Sequence, residues 1–264
     1  MTELAAISRE LHAKKAWKNV IDYAFSAEDT VIPLVAVELK KVVPAMPIAF
    51  IEDGSGYQLV AITALKPRTN LYVTAEGKWL VPYIPAALRA YPFKLVRLEN
   101  EGKMTLCINE ASGLVMESEE EGNAFFDDHG EPTQKIKDVI NFLSKFEADR
   151  ALTQRAVSAL ADAGLIIPWK LTHGGDNEVA PVNDLFRVDE PALNKLCDAD
   201  FLALRKAGSL ALAYSQLLSM HQLAVLTRLV ELQGQMRART AAIPDVLNLG
   251  DFSLSGDEGS LVFD

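Results

Sequence analysis

The chain of 264 residues is 49% apolar and carries 36 acidic against 26 basic side chains, a formal charge of −10. A chain of that size buries about three-quarters of its unfolded surface, and its apolar share excludes disorder of the whole. The negative excess repels a phosphate backbone, and the densest basic clusters (Lys14, Lys15, Lys18 and Lys40, Lys41) are too short to reverse that, so nucleic acid is not an expected partner.

Residues 1–30 are polar and weakly helical. Met1 to Val20 has no apolar run of the kind an export signal needs, so a cytoplasmic location is expected. Val31 to Leu39, with Pro33 near its start, reads as strand or short helix. Strand patterning begins at Ile48: Ile48 to Ile51 and Tyr57 to Thr63 flank the turn-rich Glu52 to Gly56, a hairpin by its punctuation. A second hairpin is expected where Leu71 to Val73 and Trp79 to Val81 flank Ala75-Glu76-Gly77-Lys78. Pro85 suits a helix start and Pro92 forbids continuation, so a short helix lies between them. Phe93 to Leu98 and Met104 to Ile108 form a third strand pair, followed by the acidic run Glu117 to Glu131, which Phe125 and Phe126 pin to the body.

The period changes at Thr133. Ile136, Val139, Ile140, Leu143 and Phe146 recur at spacings of three and four, then Leu152, Val157 and Leu160 up to Gly164, a helix of about thirty residues. Thr172 to Val179 is loop-like, and Leu185 to Val188 adds a strand. Asp198 can cap a helix over Phe201 to Ala207, and a longer helix runs from Ser209 to Arg239 with Gly208 as the joint. The apolar stretch Ala207 to Val230 is broken by Ser209, Gln216, His221 and Arg228, so it reads as a buried helix and not as a membrane span of about 20 apolar residues.

The expected fold class is α+β, an antiparallel β-rich N-terminal half packed with an α-helical C-terminal half. Its parts are a polar segment 1–30, a β-rich lobe 31–131, a helical lobe 132–240 and an extended tail 241–264. No Pro/Gly/Ser linker separates them, so they form one integrated unit.

The chemistry-bearing residues form no catalytic or metal pattern. None of His12, His129, His173 and His221 has a second histidine near it in sequence, and the loose pair His173 and Asp176 reads as a polar loop. Asp127-Asp128-His129-Gly130-Glu131 lacks the alternating oxygen ligands of a calcium loop and reads as a hairpin tip. Cys107 and Cys197 sit in apolar surroundings and read as reduced core thiols. Tyr214 and His221 read as core polar groups on the last long helix. Neither a Gly-x-Ser-x-Gly elbow nor a glycine-rich phosphate loop occurs, so no catalytic residue, metal or cofactor is expected. What remains is an aromatic, proline-rich cluster whose Trp79, Tyr83, Arg89 and Tyr91 are the candidate ligand-binding residues, because Trp, Tyr and Arg dominate recognition surfaces. Ordinary core packing around the short helix is the competing account of the same residues.

At this cluster the sequence resembles the bacterial SapC-like family. The stretches that carry the resemblance include Val31-Ile-Pro-Leu-Val, Met46-Pro-Ile-Ala-Phe-Ile, Asn70-Leu-Tyr-Val-Thr-Ala-Glu-Gly-Lys-Trp and Tyr83-Ile-Pro-Ala-Ala-Leu-Arg-Ala-Tyr-Pro-Phe. Further matches are Glu121-Gly-Asn-Ala-Phe-Phe-Asp-Asp-His-Gly-Glu-Pro, Phe186-Arg-Val-Asp-Glu-Pro-Ala-Leu-Asn and the helix from Gly208 to Gln222. The resemblance implies a link to a surface-layer locus, with members encoded beside TonB-dependent outer-membrane receptors and flavin-dependent halogenase-like enzymes. It implies no catalytic residues, and it does not extend to the peptide-transporter permease of the same name, which spans membranes.

The leading expectation is therefore a non-enzymatic binding or accessory protein whose partner is a peptide, a glycan or another protein. The alternatives are an enzyme or enzyme component acting on a sugar or protein, with dispersed carboxylates and His129 or His173, and a structural surface-layer component.

Overall fold

Two apolar runs on either side of a short turn build the centre of the molecule. Residues Ile48–Glu52 and Tyr57–Ile62 pair antiparallel from Ile48↔Ala61 to Glu52↔Tyr57, and Ile48, Ala49, Phe50, Val60, Ala61 and Ile62 are fully buried. A strand that reads apolar without alternation is covered on both faces, and each large side chain so buried contributes about 1.5–3 kcal/mol.

The computed structural model describes residues 3–54, 56–97, 104–118, 122–171 and 184–241. In chain order the elements of the N-terminal half are β1 (Leu4–Ala6), α1 (Arg9–His12), β2 (Ala16–Trp17), β3 (Val31–Pro33), α2 (Leu39–Val42), β4 (Ile48–Glu52), β5 (Tyr57–Ile62), α3 (Ala86–Arg89), β6 (Phe93–Arg97), β7 (Met104–Asn109), β8 (Val115–Met116) and β9 (Asn123–Ala124). Those of the C-terminal half are α4 (Gln134–Asp162), β10 (Ile166–Pro168), β11 (Leu185–Val188), α5 (Glu190–Leu193), α6 (Asp198–Ala207), α7 (Ser209–Ser219) and α8 (Leu223–Ala241). The strands form a five-stranded sheet in the order β10-β11-β4-β5-β3 and two three-stranded sheets, β1-β7-β6 and β8-β2-β9, all antiparallel. The fold is α+β, with antiparallel sheets in the N-terminal half and helices in the C-terminal half.

Helix α4 joins two apolar cores. Its first half supplies Ile136 and Leu143 to a smaller core with Trp17, Phe93, Leu106, Ile108 and Phe125. Its second half supplies Ala156, Val157 and Leu160 to the larger core around β4 and β5. Its 29 residues span about 44 Å, and polar contacts fix its height: Thr153 Oγ1 accepts from the Ala36 amide at 2.8 Å, and Gln154 Nε2 donates to the Tyr57 carbonyl at 2.9 Å.

Helix α7 is tied into the larger sheet through side chains. β11 pairs with β4 at Leu185↔Ile51 and Phe186↔Phe50. Beyond that point Gln216 stands between the strands: its Oε1 accepts from the Val188 amide at 3.0 Å, and its Nε2 donates to the Ile48 carbonyl at 3.1 Å. Ser219 Oγ accepts from the Ile48 amide at 2.9 Å and donates to the Gln216 carbonyl at 2.6 Å. Both side chains are fully buried, and both satisfy backbone groups that a continuing ladder would otherwise pair.

Several elements depart from the sequence expectation. Residues 3–30 supply β1, α1 and β2 where weak helix was expected, because β1 and β2 pair with strands far along the chain. The second hairpin shrinks to a single bridge, Val73↔Trp79, closed by Thr74 N–H to the Lys78 carbonyl at 2.9 Å. The helix expected from Ser209 to Arg239 is interrupted by one tighter turn at Met220–Gln222, and α6 begins at Asp198 with Cys197 as its cap residue. Gly208 is the joint, with a φ of +78° that favours glycine. Cys107 is buried as expected, but Cys197 is exposed at the mouth of α6, its Sγ 3.1 Å from Asp200 Oδ2. Tyr214, 42% exposed, and His221 lie on the solvent side of the last helices and not in the core. Asp127 to Gly130 is a hairpin tip as expected, with the Gly130 amide donating to the Asp127 carbonyl and the Glu131 and His129 amides holding the Asp127 carboxyl below the usual range. The loop expected at Thr172 to Val179, with His173 and Asp176, and the tail from 242 onward lie outside the described residues.

Candidate functional site

The surroundings of α3 are organised by one buried acid. Glu38, 3% exposed, ends the single turn Ala36–Glu38 that leads from β3 towards α2. Its Oε2 accepts from the Val35 amide at 3.1 Å, and its Oε1 accepts from the Tyr83 hydroxyl and from the Ala86 amide, both at 2.6 Å. Ala86 is the first residue of α3, so the carboxylate satisfies one of the amides that a helix start leaves without a partner. No cation pairs with Glu38 among the described residues; its charge is carried by three donors.

The four sequence candidates lie around this point but do not converge on one ligand position. Trp79 is half-buried, with its indole N–H donating to the Tyr83 carbonyl at 2.8 Å and its ring stacked on buried Tyr72 at 5.6 Å. Tyr83 is held by Glu38, and burial first and that carboxylate second push its hydroxyl up to about 12. Arg89 is exposed: its Nε donates to the Ile84 carbonyl at 3.1 Å, and its guanidinium lies over the rings of Phe142 at 5.2 Å and Tyr83 at 5.9 Å. Trp79, Tyr83 and Arg89 therefore brace α3 against its neighbours. Tyr91 differs, with its ring stacked face to face on Phe25 at 3.8 Å and 6°, and its hydroxyl accepting from Asn109 Nδ2 at 3.4 Å.

Tyr91 and Trp79 are nonetheless connected through residues the sequence reading passed over. Tyr72, Trp79, Tyr23, Phe25 and Tyr91 form a run of neighbouring rings with centroid spacings of 5.6, 5.7, 6.0 and 3.8 Å. The run starts in the large core and ends at the wall of a groove of about 950 Å³. The groove lies between β3, α3, β6 and the middle of α4. Leu88, Phe93, Leu143 and Phe146 give it apolar walls, while Asp29, Lys94, Arg97 and the Glu147–Arg150 ion pair of 2.8 Å supply charge. Desolvation, followed by neighbouring Glu28, raises the Asp29 carboxyl above its ordinary value.

The carboxylates that line the groove are Asp29 and Glu147, the second already engaged by Arg150. Among the described residues no group of three or more His, Cys, Asp or Glu side chains is placed to hold a metal ion, and no helix is long and apolar enough to cross a membrane. His129 sits on the exposed hairpin tip away from the groove walls. Phe25, Lys94 and Arg97 are groove residues that sequence reasoning missed; the only signal for Phe25 is its place in the aromatic pair Tyr23 and Phe25, inside a segment with no clear period.

Comparison with known proteins bears on this geometry in one respect. No curated protein and no solved structure matches the chain. The family model described as SapC matches residues 7–226, which takes in β2 to β11, the groove lining apart from Leu4 and most of the helical half. The chain belongs to the SapC family.

Proposed function

We propose that this SapC-family protein is a binding or accessory protein and that the groove beside α3 is where it takes hold of a peptide or protein partner. The observation that carries this reading is the stacked Phe25–Tyr91 pair at the wall of a groove of about 950 Å³. Ligand sites are concave, mostly apolar and orient their ligands with a few polar groups, and flat aromatic side chains dominate recognition energetics. Tyr91 is the one sequence candidate placed to touch the ligand; Trp79, Tyr83 and Arg89 hold the helix that shapes the wall. The genomic association with outer-membrane receptors and halogenase-like enzymes, implied by the family, names the kind of system such an accessory protein would serve.

The test is selection of displayed random octapeptides, with a glycan array run in parallel, on the full chain and on a Phe25→Ala, Tyr91→Ala double variant. Each truncated aromatic anchor is expected to weaken capture by about tenfold or more with the thermal midpoint little changed. Equal capture by both proteins would remove the groove from consideration, and glycan capture without peptide capture would reassign the ligand class.

A further inference from the structure

The groove touches Phe93, Lys94, Leu95 and Arg97 of β6 together. Neighbouring residues of a strand point to opposite faces, so a groove that reaches consecutive residues runs along the edge of the strand and not over one face. β6 is an edge strand in the order β1-β7-β6.

The hydrogen-bond parity shows which backbone groups that edge presents. The Asn109 amide donates to the Pro92 carbonyl at 3.0 Å, while on the other side of β7 the Ile7 amide donates to the Leu106 carbonyl and the Glu110 amide to the Glu3 carbonyl, both at 2.9 Å. Alternation then pairs Lys94 with Cys107 and Val96 with Thr105 through hydrogen bonds. It turns the N–H and C=O of Leu95 and Arg97 outward into the groove, where no described residue pairs with them.

The facing edge is closed by contrast. β3 is the edge strand of the five-stranded sheet, and the Leu34 amide, which donates to the Leu59 carbonyl at 3.0 Å, sets the parity there. The outward positions are Val31 and Pro33, and the one that lines the groove is Pro33, which has no N–H to offer. One wall of the groove thus invites a strand and the other refuses one. The charge at the open edge is also one-sided: Lys94 on one face and Arg97 on the other have no carboxylate partner among the described residues, in a chain of formal charge −10.

We propose that an extended acidic peptide segment adds to β6 as a fourth strand of the β1-β7-β6 sheet, with its backbone paired to Leu95 and Arg97 and its carboxylates facing Lys94 and Arg97. This rests on the reading of the groove as a peptide-binding site and specifies how the peptide is held. Strand addition takes affinity from main-chain hydrogen bonds and selectivity from flanking side chains, here two cations and the Phe25–Tyr91 platform.

The experiment uses the full chain and the octapeptides selected on it, resynthesised in native form, with lysine in place of each acid, and with alternate backbone nitrogens methylated along one edge. Selected sequences should be acidic, the lysine and N-methyl forms should bind about tenfold or more weakly, and the amide hydrogens of Leu95 and Arg97 should exchange at least about tenfold more slowly in the complex. Arg97→Gln and Lys94→Gln should each weaken the acidic peptide several-fold and leave the lysine form unchanged. If capture depends on Phe25 and Tyr91 but the N-methyl form binds equally, or Leu95 and Arg97 exchange at unchanged rates, strand addition is wrong while the groove reading stands. If no selected peptide depends on Phe25 and Tyr91, the groove reading itself has failed and this inference goes with it.

Discussion

Tyr83 and Glu38, 45 residues apart in the chain, meet in a 2.6 Å hydrogen bond in which the phenol donates to a carboxylate that is 3% exposed. The same oxygen accepts from the first amide of α3, so a single acid joins the turn after β3 to the helix that shapes the groove.

Glu38→Ala leaves the Tyr83 hydroxyl and the Val35 and Ala86 amides without their acceptor, and a hydrogen bond to a charged group contributes about 1.5–3 kcal/mol. A loss of about 3–5 kcal/mol in urea unfolding is expected, with the native signal retained. Tyr83→Phe removes one donor of the three and should lower stability by about 1–3 kcal/mol.

The alkaline limit of stability should also report on this pair. The Tyr83 hydroxyl titrates near 12 in the folded chain against about 10 in an unfolded one, so the folded state holds that proton more tightly. Its contribution is complete below pH about 10 and lost as pH climbs through the folded value. A phenolate absorbance titration of the Tyr83→Phe variant should lack one late-titrating step relative to the parent chain.

Replacing Gln216 with leucine conserves approximate size and removes both partners that the side chain offers the sheet. The Val188 amide and the Ile48 carbonyl are then buried without partners, at about 1–3 kcal/mol each. Urea midpoints should fall accordingly, and hydrogen exchange at Val188 should accelerate more than exchange in β5.

Acid should weaken the fold through His12. The ring is fully buried, its Nδ1 accepts from the Ser8 amide at 3.3 Å, and its Nε2 lies 3.2 Å from Glu110 Oε1. Burial lowers its pKa, against the opposing pull of Glu110. The unfolded chain therefore takes up a proton near pH about 6.5 that the folded chain declines, and stability falls as pH drops below that value until the folded pKa is passed. Urea midpoints compared between about pH 7 and about pH 5 should decline in the parent chain and decline less in His12→Asn.

The sequence made the α+β class legible for identifiable reasons. The polar turn between β4 and β5, the proline bracket around α3 and the change of period at Thr133 are local signals, and each lies where the structure puts a boundary. β1 and β2 were not legible because strands of three and two residues carry no period and take their form from distant partners, as Leu4 does from Asn109. Tyr214 and His221 were misplaced because a helix whose residues are mostly apolar gives little contrast between its faces; the buried side of α7 is marked instead by Gln216 and Ser219. Of the groove, Tyr91 stood out as an aromatic beside prolines. The β6 edge required knowing the order of the sheet, and Phe25 required knowing that it stacks on Tyr91.

Helix α4 belongs to both cores, and the groove is cut against the stretch between them, from Leu143 to Ala151. The width of the groove is therefore not a local property of its lining. It is set by how straight one rod stays between two anchorages, so tightening or loosening either end changes the fit of whatever lies along the middle. Substitutions at Ile136 or Leu160, neither of which lines the groove, belong among the first places to look for altered affinity.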